Sequence, residues 1–346
     1  MKTEHKIIFG DAREMKELKK DSVDLMITSP PYPMIQMWDE IFGKQNPEIT
    51  KALKEENGEK AFELMNKELD KVWKEVYRVL KVGGIACINI GDATRSIKGK
   101  FQIYTNHARI LNYCLSLGFH ALPEILWVKE TNKPDKFMGS GMLPVGAYVT
   151  LEHEHILILR KDNKREFKEL EHKENRQRSA FFWEERNMWF SDKWKDINGV
   201  FQKLNHSKLR ERSGAYPIEL TYRLINMFSV QSDVVLDPFL GTGTTTLGAM
   251  ASGRSSVGYE IDNNFKEFIE DRIKEIKNIV DEYVKDRLEK HRIFVKKRQE
   301  EKGELKYFSK NYKFPIMTRQ EINIHIPKIK EINKINENLF EVEHLF

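Results

Sequence analysis

A short run of residues with unusual chemistry, Thr28-Ser29-Pro30-Pro31-Tyr32, directly follows the strand-like stretch 23–27. Each proline lacks a backbone N–H and has φ fixed at about −65°, so the pair predicts a stiff loop at the carboxyl end of a strand. The loop offers carbonyl oxygens and the Ser29 hydroxyl as hydrogen-bond acceptors, and Tyr32 adds a flat aromatic face. These groups could hold a planar ring that carries an exocyclic amino group. The alternative is an ordinary loop around a buried tyrosine.

The stretch 234–246 has the pattern of a strand, a glycine turn and the start of a helix. Gly241 and Gly243 allow the backbone to turn sharply and to approach a ligand closely. The threonines after the turn can cap the helix. A further strand over 256–260 ends in Glu260, about twenty residues after the turn, where a strand–helix–strand unit binds ribose hydroxyls. Because no lysine follows the glycines, the pattern predicts a nucleoside-containing cofactor and not a triphosphate.

The two stretches together resemble the amino-group DNA methyltransferases that use S-adenosylmethionine. The string Ser29-Pro30-Pro31-Tyr32 is similar to the catalytic loop of that family, and residues 237–244 are similar to its cofactor loop. The catalytic loop precedes the cofactor loop, as in the permuted class called beta. Serine at the first loop position resembles the members that methylate N4 of cytosine. The resemblance extends over residues 5–275.

The resemblance implies a fold, a cofactor and a set of site residues. The fold is a doubly wound α/β structure with a mostly parallel, circularly permuted sheet, a small inserted recognition region and a helical C-terminal extension. The cofactor is S-adenosylmethionine, with no metal. Asp11, which ends the first strand, would approach the adenine ring, and it could also cap a helix over 12–18. The resemblance assigns catalysis to Ser29, Pro30, Pro31 and Tyr32. It assigns cofactor binding to Asp11, Asp237, Pro238, Phe239, Gly241, Gly243, Thr244 and Glu260.

The chemistry implied by this resemblance needs no metal, because the sulfonium methyl group is already activated. The obstacle is the amino nitrogen, whose lone pair is delocalised into the aromatic ring. Hydrogen bonds from its two N–H groups to the Ser29 hydroxyl and the Pro30 carbonyl would favour a tetrahedral nitrogen. Tyr32 would stack on a base that has left the duplex. Attack at carbon 5 of cytosine is disfavoured, because neither Cys87 nor Cys114 lies in a Pro-Cys loop.

Composition sets the class of protein. A chain of 346 residues that is 40% hydrophobic accommodates one large catalytic domain and a smaller region. The 58 basic and 53 acidic residues give a net charge of +5, which is compatible with a nucleic-acid partner but does not establish one. The two cysteines form neither a metal-spaced cluster nor a disulfide framework, and their scarcity suits a reducing cytoplasm. No apolar run approaches the roughly 20 residues of a membrane span, and no signal peptide is evident.

The order of the predicted strands, helices and charged stretches divides the chain into four parts. Strands alternating with helices up to residue 160 predict a sheet that is covered on both faces. One long helix is predicted over 51–80, another over 101–117, and one or two over 264–298. The parts are the catalytic half at 1–160, a candidate target-recognition region at 161–212, the cofactor half at 213–275, and a helical extension and tail at 276–346, whose last residues from 303 have no assigned role.

The candidate recognition region combines charge with aromatic residues. Charged residues dominate 161–178, and tryptophan and phenylalanine then alternate with arginine and lysine. This mixture suits phosphate pairing and base packing, and the resemblance places the sequence-reading region here. His206 is interpreted as structural or as a phosphate contact. The alternative is a peripheral subdomain that its aromatic residues stabilise. The candidate nucleic-acid contacts are Trp183, Arg186, Lys193 and Trp194.

The leading hypothesis is an enzyme that methylates N4 of a cytosine in a specific double-stranded DNA sequence after base flipping. It would be the modification half of a restriction–modification pair, acting apart from its endonuclease as a monomer or homodimer. Three alternatives stay open: N4 methylation of structured RNA such as ribosomal RNA, N6 methylation of adenine in DNA, and a binding protein with an idle nucleoside pocket. A nicotinamide dehydrogenase fits poorly, because its glycine turn would come early in the chain.

Overall fold

The computed structural model describes residues 1–129, 138–198 and 216–346. His206 and the boundary between the candidate recognition region and the cofactor half lie outside the described residues. The helices are α1 (Asp39–Gln45), α2 (Pro47–Lys54), α3 (Gly58–Val79), α4 (Asn106–Ser116), α5 (Leu170–Arg178), α6 (Trp183–Trp189), α7 (Ile218–Phe228), α8 (Thr244–Ser252) and α9 (Lys266–Lys302). The strands are β1 (Lys2–Phe9), β2 (Val23–Thr28), β3 (Leu80–Ile90), β4 (Ala93–Ile97), β5 (Lys100–Tyr104), β6 (Phe119–Val128), β7 (Met138–Gly139), β8 (Ala147–Tyr148), β9 (His153–Lys161), β10 (Lys193–Trp194), β11 (Val234–Asp237), β12 (Ser255–Glu260), β13 (Tyr307–Phe308), β14 (Pro315–Ile316), β15 (Lys328–Asn336) and β16 (Leu339–Leu345).

One sheet of ten strands forms the centre of the molecule, in the order β10-β6-β9-β3-β2-β11-β12-β1-β16-β15. Its five central strands, from β3 to β1 in that order, pair in parallel, as do β10 and β6. Within this sheet β9 and β16 run in the opposite direction. The prediction of an α/β fold with a mostly parallel sheet is confirmed.

Strand β2 shows how helices cover the sheet on both faces. All of its residues are buried. Met26 packs into a core cluster with residues of α3 and α4, whereas Leu25 and Ile27 pack into another cluster with residues of α7. The sequence of a strand that is buried on both faces is a continuous apolar run instead of an alternation of apolar and polar residues. This is why the stretch before the two prolines could be identified as a central strand.

The C-terminal residues extend the sheet, which the sequence did not indicate. Strand β16 pairs antiparallel with β1, and β15 pairs antiparallel with β16. Phe340 and Val342 of β16 share a core cluster with Ile273 and Ile276 of α9. The predicted helical extension is α9, a single helix of 37 residues. The tail from residue 303, to which the sequence analysis assigned no role, contains β13 to β16.

Three local helix predictions are wrong in part. The helix predicted over 101–117 begins only at Asn106, because residues 100–104 form β5 and pair with β4. The other two fail for reasons of hydrogen bonding and backbone geometry. No helix covers 12–18, because the Asp11 carboxylate accepts the backbone N–H of Arg13 at 2.9 Å and closes a turn. The helix predicted over 51–80 is divided into α2 and α3, because the chain reverses at Glu56, whose φ is 54°. These changes shorten local elements and leave the order of the central strands unaffected.

The first part of the candidate recognition region runs along the amino ends of the parallel strands. Arg165 forms an ion pair with Asp233 at 2.6 Å, and the Asn175 amide donates to the carbonyl of Gln231 at 2.7 Å. Both partners lie within three residues of the start of β11. Ligands of open α/β sheets bind at the opposite edge, outside the carboxyl ends. The charge of 161–178 therefore lies at the wrong end of the sheet to meet a substrate there.

The four candidate nucleic-acid contacts fall in different environments. Trp194 is fully buried and donates its indole N–H to the carbonyl of Trp189 at 2.9 Å, so the prediction that it contacts nucleic acid is wrong. Trp183 stacks on a phenylalanine of α9. Arg186 and Lys193 are exposed and stay predictions. The aromatic residues of this segment mainly stabilise its packing.

None of the helices in the described ranges combines the length and the apolar composition that a membrane crossing requires.

Candidate active site

The two motifs meet at neighbouring strands although they are far apart in sequence. Thr28 and Asp237, separated by 209 positions, are joined by a hydrogen bond at the carboxyl ends of β2 and β11. A cleft of about 1480 Å³ opens at this edge, where ligands of α/β sheets bind. The predicted site residues in its walls are Asp11, Ser29, Pro30, Pro31, Tyr32, Pro238, Phe239, Gly241, Thr244 and Glu260.

Asp237 lies behind the cleft wall and joins the two motifs. Its carboxylate accepts hydrogen bonds from the Thr28 hydroxyl at 2.5 Å, the Phe239 N–H at 3.0 Å, the Thr245 hydroxyl at 2.6 Å and the Tyr216 hydroxyl at 3.2 Å. Burial raises the pKa of the Asp237 carboxyl, and these hydrogen bonds oppose the shift. Sequence reasoning assigned Asp237 to direct cofactor contact. Its bonds hold the cofactor loop against the catalytic loop, and direct contact of Asp237 with the cofactor stays a prediction.

The glycine turn has the conformation that its residues predict. Gly241 and Gly243 have φ of 53° and 81°, and a Cβ at Gly243 would lie 3.0 Å from Ile269 of α9. The Gly241 N–H donates to Glu260 Oε2 at 2.7 Å, and the Asp262 N–H donates to Oε1 at 2.8 Å. Each Glu260 oxygen keeps a second lone pair for another donor. A carboxylate held in this way, beside a glycine turn, suits the two hydroxyls of a ribose.

Asp11 lies two residues after the end of β1, in the cleft wall as expected, and is fixed by residues that the sequence motifs did not indicate. Arg13 bonds Asp11 through its side chain at 2.6 and 2.8 Å, and also Glu68 of α3 at 2.5 Å. Burial would raise the pKa of the Asp11 carboxyl, but the hydrogen bonds and charge of Arg13 hold it below its usual value. Glu68 is a buried acid within the apolar stripe of a helix, and that signal was available in the sequence.

The catalytic loop is supported by a chain of polar side chains from β3 and β9. The hydroxyls of Ser29 and Tyr32 lie 3.1 Å apart, and the Asn89 amide donates to the Tyr32 oxygen at 3.2 Å. Asn89 also donates to Glu154 at 2.7 Å, which pairs with Lys129 at 2.6 Å. Burial and the charge of Glu154 raise the pKa of the Tyr32 phenol well above its ordinary value. Tyr32 therefore stays a neutral phenol at any physiological pH.

Aromatic and aliphatic residues complete the wall beside the catalytic loop. Ile35 and Trp38 belong to the loop that follows Tyr32, and Phe42 belongs to α1; all three line the cleft. Phe239 of the cofactor loop contacts the buried Trp73 of α3 edge-on, with ring centroids 5.9 Å apart. An apolar wall with a few directed polar groups is the usual make-up of a small-molecule site. The volume exceeds the upper range of such sites, about 1000 Å³, so the cleft has room for two ligands.

Residues 23–271 match the family model described as DNA methylase, of the N6/N4 type. This chain belongs to that family. The matched part contains both motifs and β2 to β12. The protein is accordingly an S-adenosylmethionine-dependent DNA methyltransferase that acts on an amino group.

Relatives of this methyltransferase match from about three quarters to nearly all of its length. Type II methyltransferase M.MthZI of Methanothermobacter thermautotrophicus is 53% identical over 342 residues, which are 99% of this chain and 95% of that protein. Type II methyltransferase M.MjaI of Methanocaldococcus jannaschii is 51% identical over 282 residues, covering 78% of this chain and 91% of that protein. The similarity extends beyond the family model and includes the C-terminal strands in the first case.

A solved structure supports the cofactor assignment. TTHA0409 of Thermus thermophilus, solved with S-adenosyl-L-methionine, is 32% identical and has a TM-score of 0.61, over 79% of this chain and 95% of that one. The cytosine-N4-specific PvuII methyltransferase, at 17% identity and a TM-score of 0.51, shows likeness of fold alone. The glycine turn, Glu260 and the Asp11 carboxylate fit the nucleoside part of this cofactor in charge and hydrogen-bonding capacity.

Cofactor affinity is expected to depend on pH through Glu260. Burial raises the pKa of its carboxyl from 4.5 to about 7. The ionised form can accept hydrogen bonds from both ribose hydroxyls, so the bound state favours proton release and affinity falls as the pH drops through 7. Between pH 8 and pH 6 we expect a loss of about tenfold in S-adenosylmethionine affinity, measured by calorimetry. Glu260→Gln should bind weakly with little pH dependence. If the affinity of the unmodified protein and that of Glu260→Gln depended equally on pH, the titrating group would be the cofactor amine.

Gly91 is expected to be essential for the placement of Tyr32. A Cβ at this position would lie 2.9 Å from Cε2 of the Tyr32 ring and 3.4 Å from the Glu154 Cγ. Gly91→Ala should therefore displace the ring and lower kcat by about tenfold to a hundredfold without weakening cofactor binding. A double-mutant cycle tests the cause. In a Tyr32→Ala background the Gly91→Ala change should have no further effect on methyl transfer, whereas additive losses would contradict the contact.

Proposed function

We propose that this methyltransferase transfers the methyl group to N4 of a cytosine in a specific double-stranded DNA sequence, after that base has left the duplex. The observation that carries the proposal is the first residue of the catalytic loop. Ser29 places a neutral hydroxyl beside Tyr32 in the cleft, where the family resemblance associates serine with cytosine-N4 methylation. We further propose that the enzyme modifies DNA as part of a restriction–modification system, since M.MthZI and M.MjaI are named as type II methyltransferases.

The catalytic loop can increase the reactivity of the target amine. The Ser29 hydroxyl and the Pro30 carbonyl accept the two N–H groups of the amine, so its nitrogen becomes tetrahedral and its lone pair turns out of the ring. Among the hydrogen bonds between described residues, none uses the Pro30 carbonyl. When bound, S-adenosylmethionine supplies an electrophilic methyl group. Pro31 keeps the loop stiff, and the face of Tyr32 stacks on the base. Positioning of this kind supplies much of the rate enhancement in bimolecular transfer.

The proton released by the amine leaves to water in this scheme. Ser29 is too weak a base to hold it, and Tyr32 is a neutral phenol that cannot accept it. Glu154 is the nearest carboxylate in the chain of supporting residues, but Lys129 and Asn89 occupy its oxygens at 2.6 and 2.7 Å. The loop residues therefore act by orientation. Pro238, Phe239, Gly241, Thr244 and Glu260 bind the cofactor, with Asp11 at its adenine end, and Asp237 and Gly243 support them from behind.

Nucleoside analysis of the methylated product tests the proposal directly. Purified protein with labelled S-adenosylmethionine would be given unmethylated genomic DNA and total RNA in parallel, followed by mass spectrometry of the nucleosides. N4-methyldeoxycytidine from duplex DNA is expected. N6-methyldeoxyadenosine would overturn the choice of base, and N4-methylcytidine from RNA alone would overturn the substrate. Sequencing of the methylated DNA then gives the recognition sequence, and sedimentation equilibrium decides between monomer and homodimer.

A further inference from the structure

Two hairpins stand side by side at the rim of the cleft, and the catalytic scheme uses neither. The first joins β4 to β5 through Lys98 and Gly99, whose φ values of 53° and 72° are those of a two-residue hairpin turn. The second pairs β7 with β8 and closes through a hydrogen bond from the Ser140 N–H to the Gly146 carbonyl at 2.9 Å. Both project from the edge of the sheet at which the substrates bind.

The tip of the β7–β8 hairpin displays apolar side chains to solvent. Met142 is 81% exposed, Leu143 is 69% exposed and Val145 is fully exposed. Val149, just after β8, is 85% exposed. Contiguous exposed apolar residues of this size mark an interaction site in a folded protein. Three tip side chains are too few for a stable dimer interface, which buries about 800 Å² on each partner.

The tip of the neighbouring hairpin is basic. Lys98 and Lys100 are exposed, and no acidic residue in the described ranges forms an ion pair with either of them. The rings of Phe101 and Tyr148 stack with centroids 4.4 Å apart and an interplanar angle of 20°. This stack fixes the basic tip beside the apolar tip. Lysines beside an apolar wedge are the combination with which proteins hold phosphates and enter the base stack.

The base of the β7–β8 hairpin connects to the catalytic loop. Residues 151–153, which lead from it into β9, line the cleft. The Lys129 N–H donates to the Glu152 carbonyl at 2.7 Å. The Lys129 side chain pairs with Glu154, which is bonded to Asn89 and through it to Tyr32. The apolar tip is therefore continuous with the wall that would receive an extruded base.

We propose that the two hairpins form a duplex-probing element. Met142, Leu143 and Val145 enter the base stack at the place that the target nucleotide leaves, and Lys98 and Lys100 bind the flanking phosphates. The occupant is double-stranded DNA, because the surface is continuous with the catalytic cleft and its charge is complementary to phosphate. The inference rests on the proposed extrusion of the target base. It places the duplex-probing surface at 93–104 and 138–149, outside the region 161–212.

Fluorescence of 2-aminopurine tests the wedge. The probe is a duplex that carries the mapped recognition sequence, with 2-aminopurine opposite thymine directly beside the intact target base pair; its fluorescence rises when the target base leaves the stack. The variant Met142→Ser/Leu143→Ser/Val145→Ser should lose most of the rise, and its kcat/KM on the matched duplex should fall by at least about tenfold. On a duplex with a mismatch at the target position, where extrusion costs less, the fall should be several times smaller. Its affinity for S-adenosylmethionine should stay the same.

A control variant replaces three other exposed apolar residues elsewhere. Leu170→Ser/Ile293→Ser/Ile335→Ser changes side chains that are 71%, 63% and 56% exposed and that line no part of the cleft. This variant should extrude and methylate the target base as the unmodified protein does. For the phosphate contacts, Lys98→Gln/Lys100→Gln should reduce the salt dependence of duplex binding by about two charges. The control variant Lys164→Gln/Lys173→Gln, at the far end of the sheet, should leave the salt dependence of duplex binding unchanged.

Several outcomes would overturn the wedge. One is a tip variant that flips and methylates as well as the unmodified protein. Another is a loss of activity that accompanies a change from dimer to monomer in sedimentation equilibrium, which would identify the tip as a contact between copies. A product on adenine would refute only the choice of base, because the wedge could still be tested on that target. Methyl transfer to RNA alone would refute the duplex substrate and the probing element together.

Discussion

Tyr32→Ala should lower kcat/KM for methyl transfer by about a thousandfold and leave S-adenosylmethionine affinity within about twofold. The ring offers the only predicted stacking surface in the catalytic loop, and it is held between Gly91 and the Asn89 amide. Without it the target base loses both stacking energy and alignment with the methyl group. Steady-state kinetics on duplex DNA and equilibrium dialysis of the cofactor separate the two effects.

Tyr32→Phe is the matched control for that loss. It keeps the ring against Gly91 and removes only the hydroxyl contacts with Ser29 and Asn89. We expect it to lose about tenfold in kcat/KM, the size of one or two hydrogen bonds. If Tyr32→Ala retained the activity of Tyr32→Phe, stacking on the ring would have no part in the reaction, and the assignment of the loop would be wrong.

Asp237→Ala should lower the free energy of unfolding by about 3 kcal/mol and weaken cofactor binding at least about tenfold. The substitution leaves the donors on Thr28, Phe239, Thr245 and Tyr216 without their acceptor in a buried site. Part of that cost is offset, because the change also removes a carboxylate whose ionised form burial disfavours. The cofactor loop then loses its connection to β2. Urea denaturation and calorimetry measure the two quantities.

Single removals of the donors calibrate this prediction. Thr28→Val and Thr245→Val each delete one hydroxyl and should cost about 1 kcal/mol of unfolding free energy. Asp237→Asn keeps the volume, and the hydroxyls can rotate to suit it, so it should cost less than Asp237→Ala. A fully stable Asp237→Ala protein with weak cofactor binding would instead indicate that Asp237 contacts the cofactor directly, as the sequence first suggested.

The sequence predicted those parts of the site that depend on local chemistry. Two prolines after an apolar run can only end a strand, and Gly241 and Gly243 have the positive φ that their turn requires. Glu260 ends β12 in the cleft wall as expected. These residues are constrained by their neighbours in sequence. The pairing of β2 with β11 could be inferred only from the family resemblance, because no local pattern joins segments that far apart.

The features that the sequence did not predict depend on tertiary contacts. Trp194 looks like a nucleic-acid contact beside lysines, but its β-strand pairs with β6 at the edge of the sheet and buries the indole. Residues 101–104 continue an apolar pattern into α4, yet they pair with β4. The burial pattern of β15 does not alternate regularly, because its register against β16 shifts at two places, between 329 and 331 and between 334 and 336. In each case the partner strand decides the outcome.

The undivided cleft has a consequence for inhibition. Because one space of about 1480 Å³ is bounded by the glycine turn, Glu260, Ser29 and Tyr32, none of the described residues forms a wall between the adenosyl and nucleobase subsites. A single compound that joins an adenosine to the target nucleobase through a short flexible tether could occupy both. Its second half would then bind at an effective concentration of about millimolar or more, without further cost of association. Such a bisubstrate ligand would contact both motifs at once, whereas a nucleoside analogue that fills one subsite contacts only one of them. Its selectivity would therefore depend on both motifs.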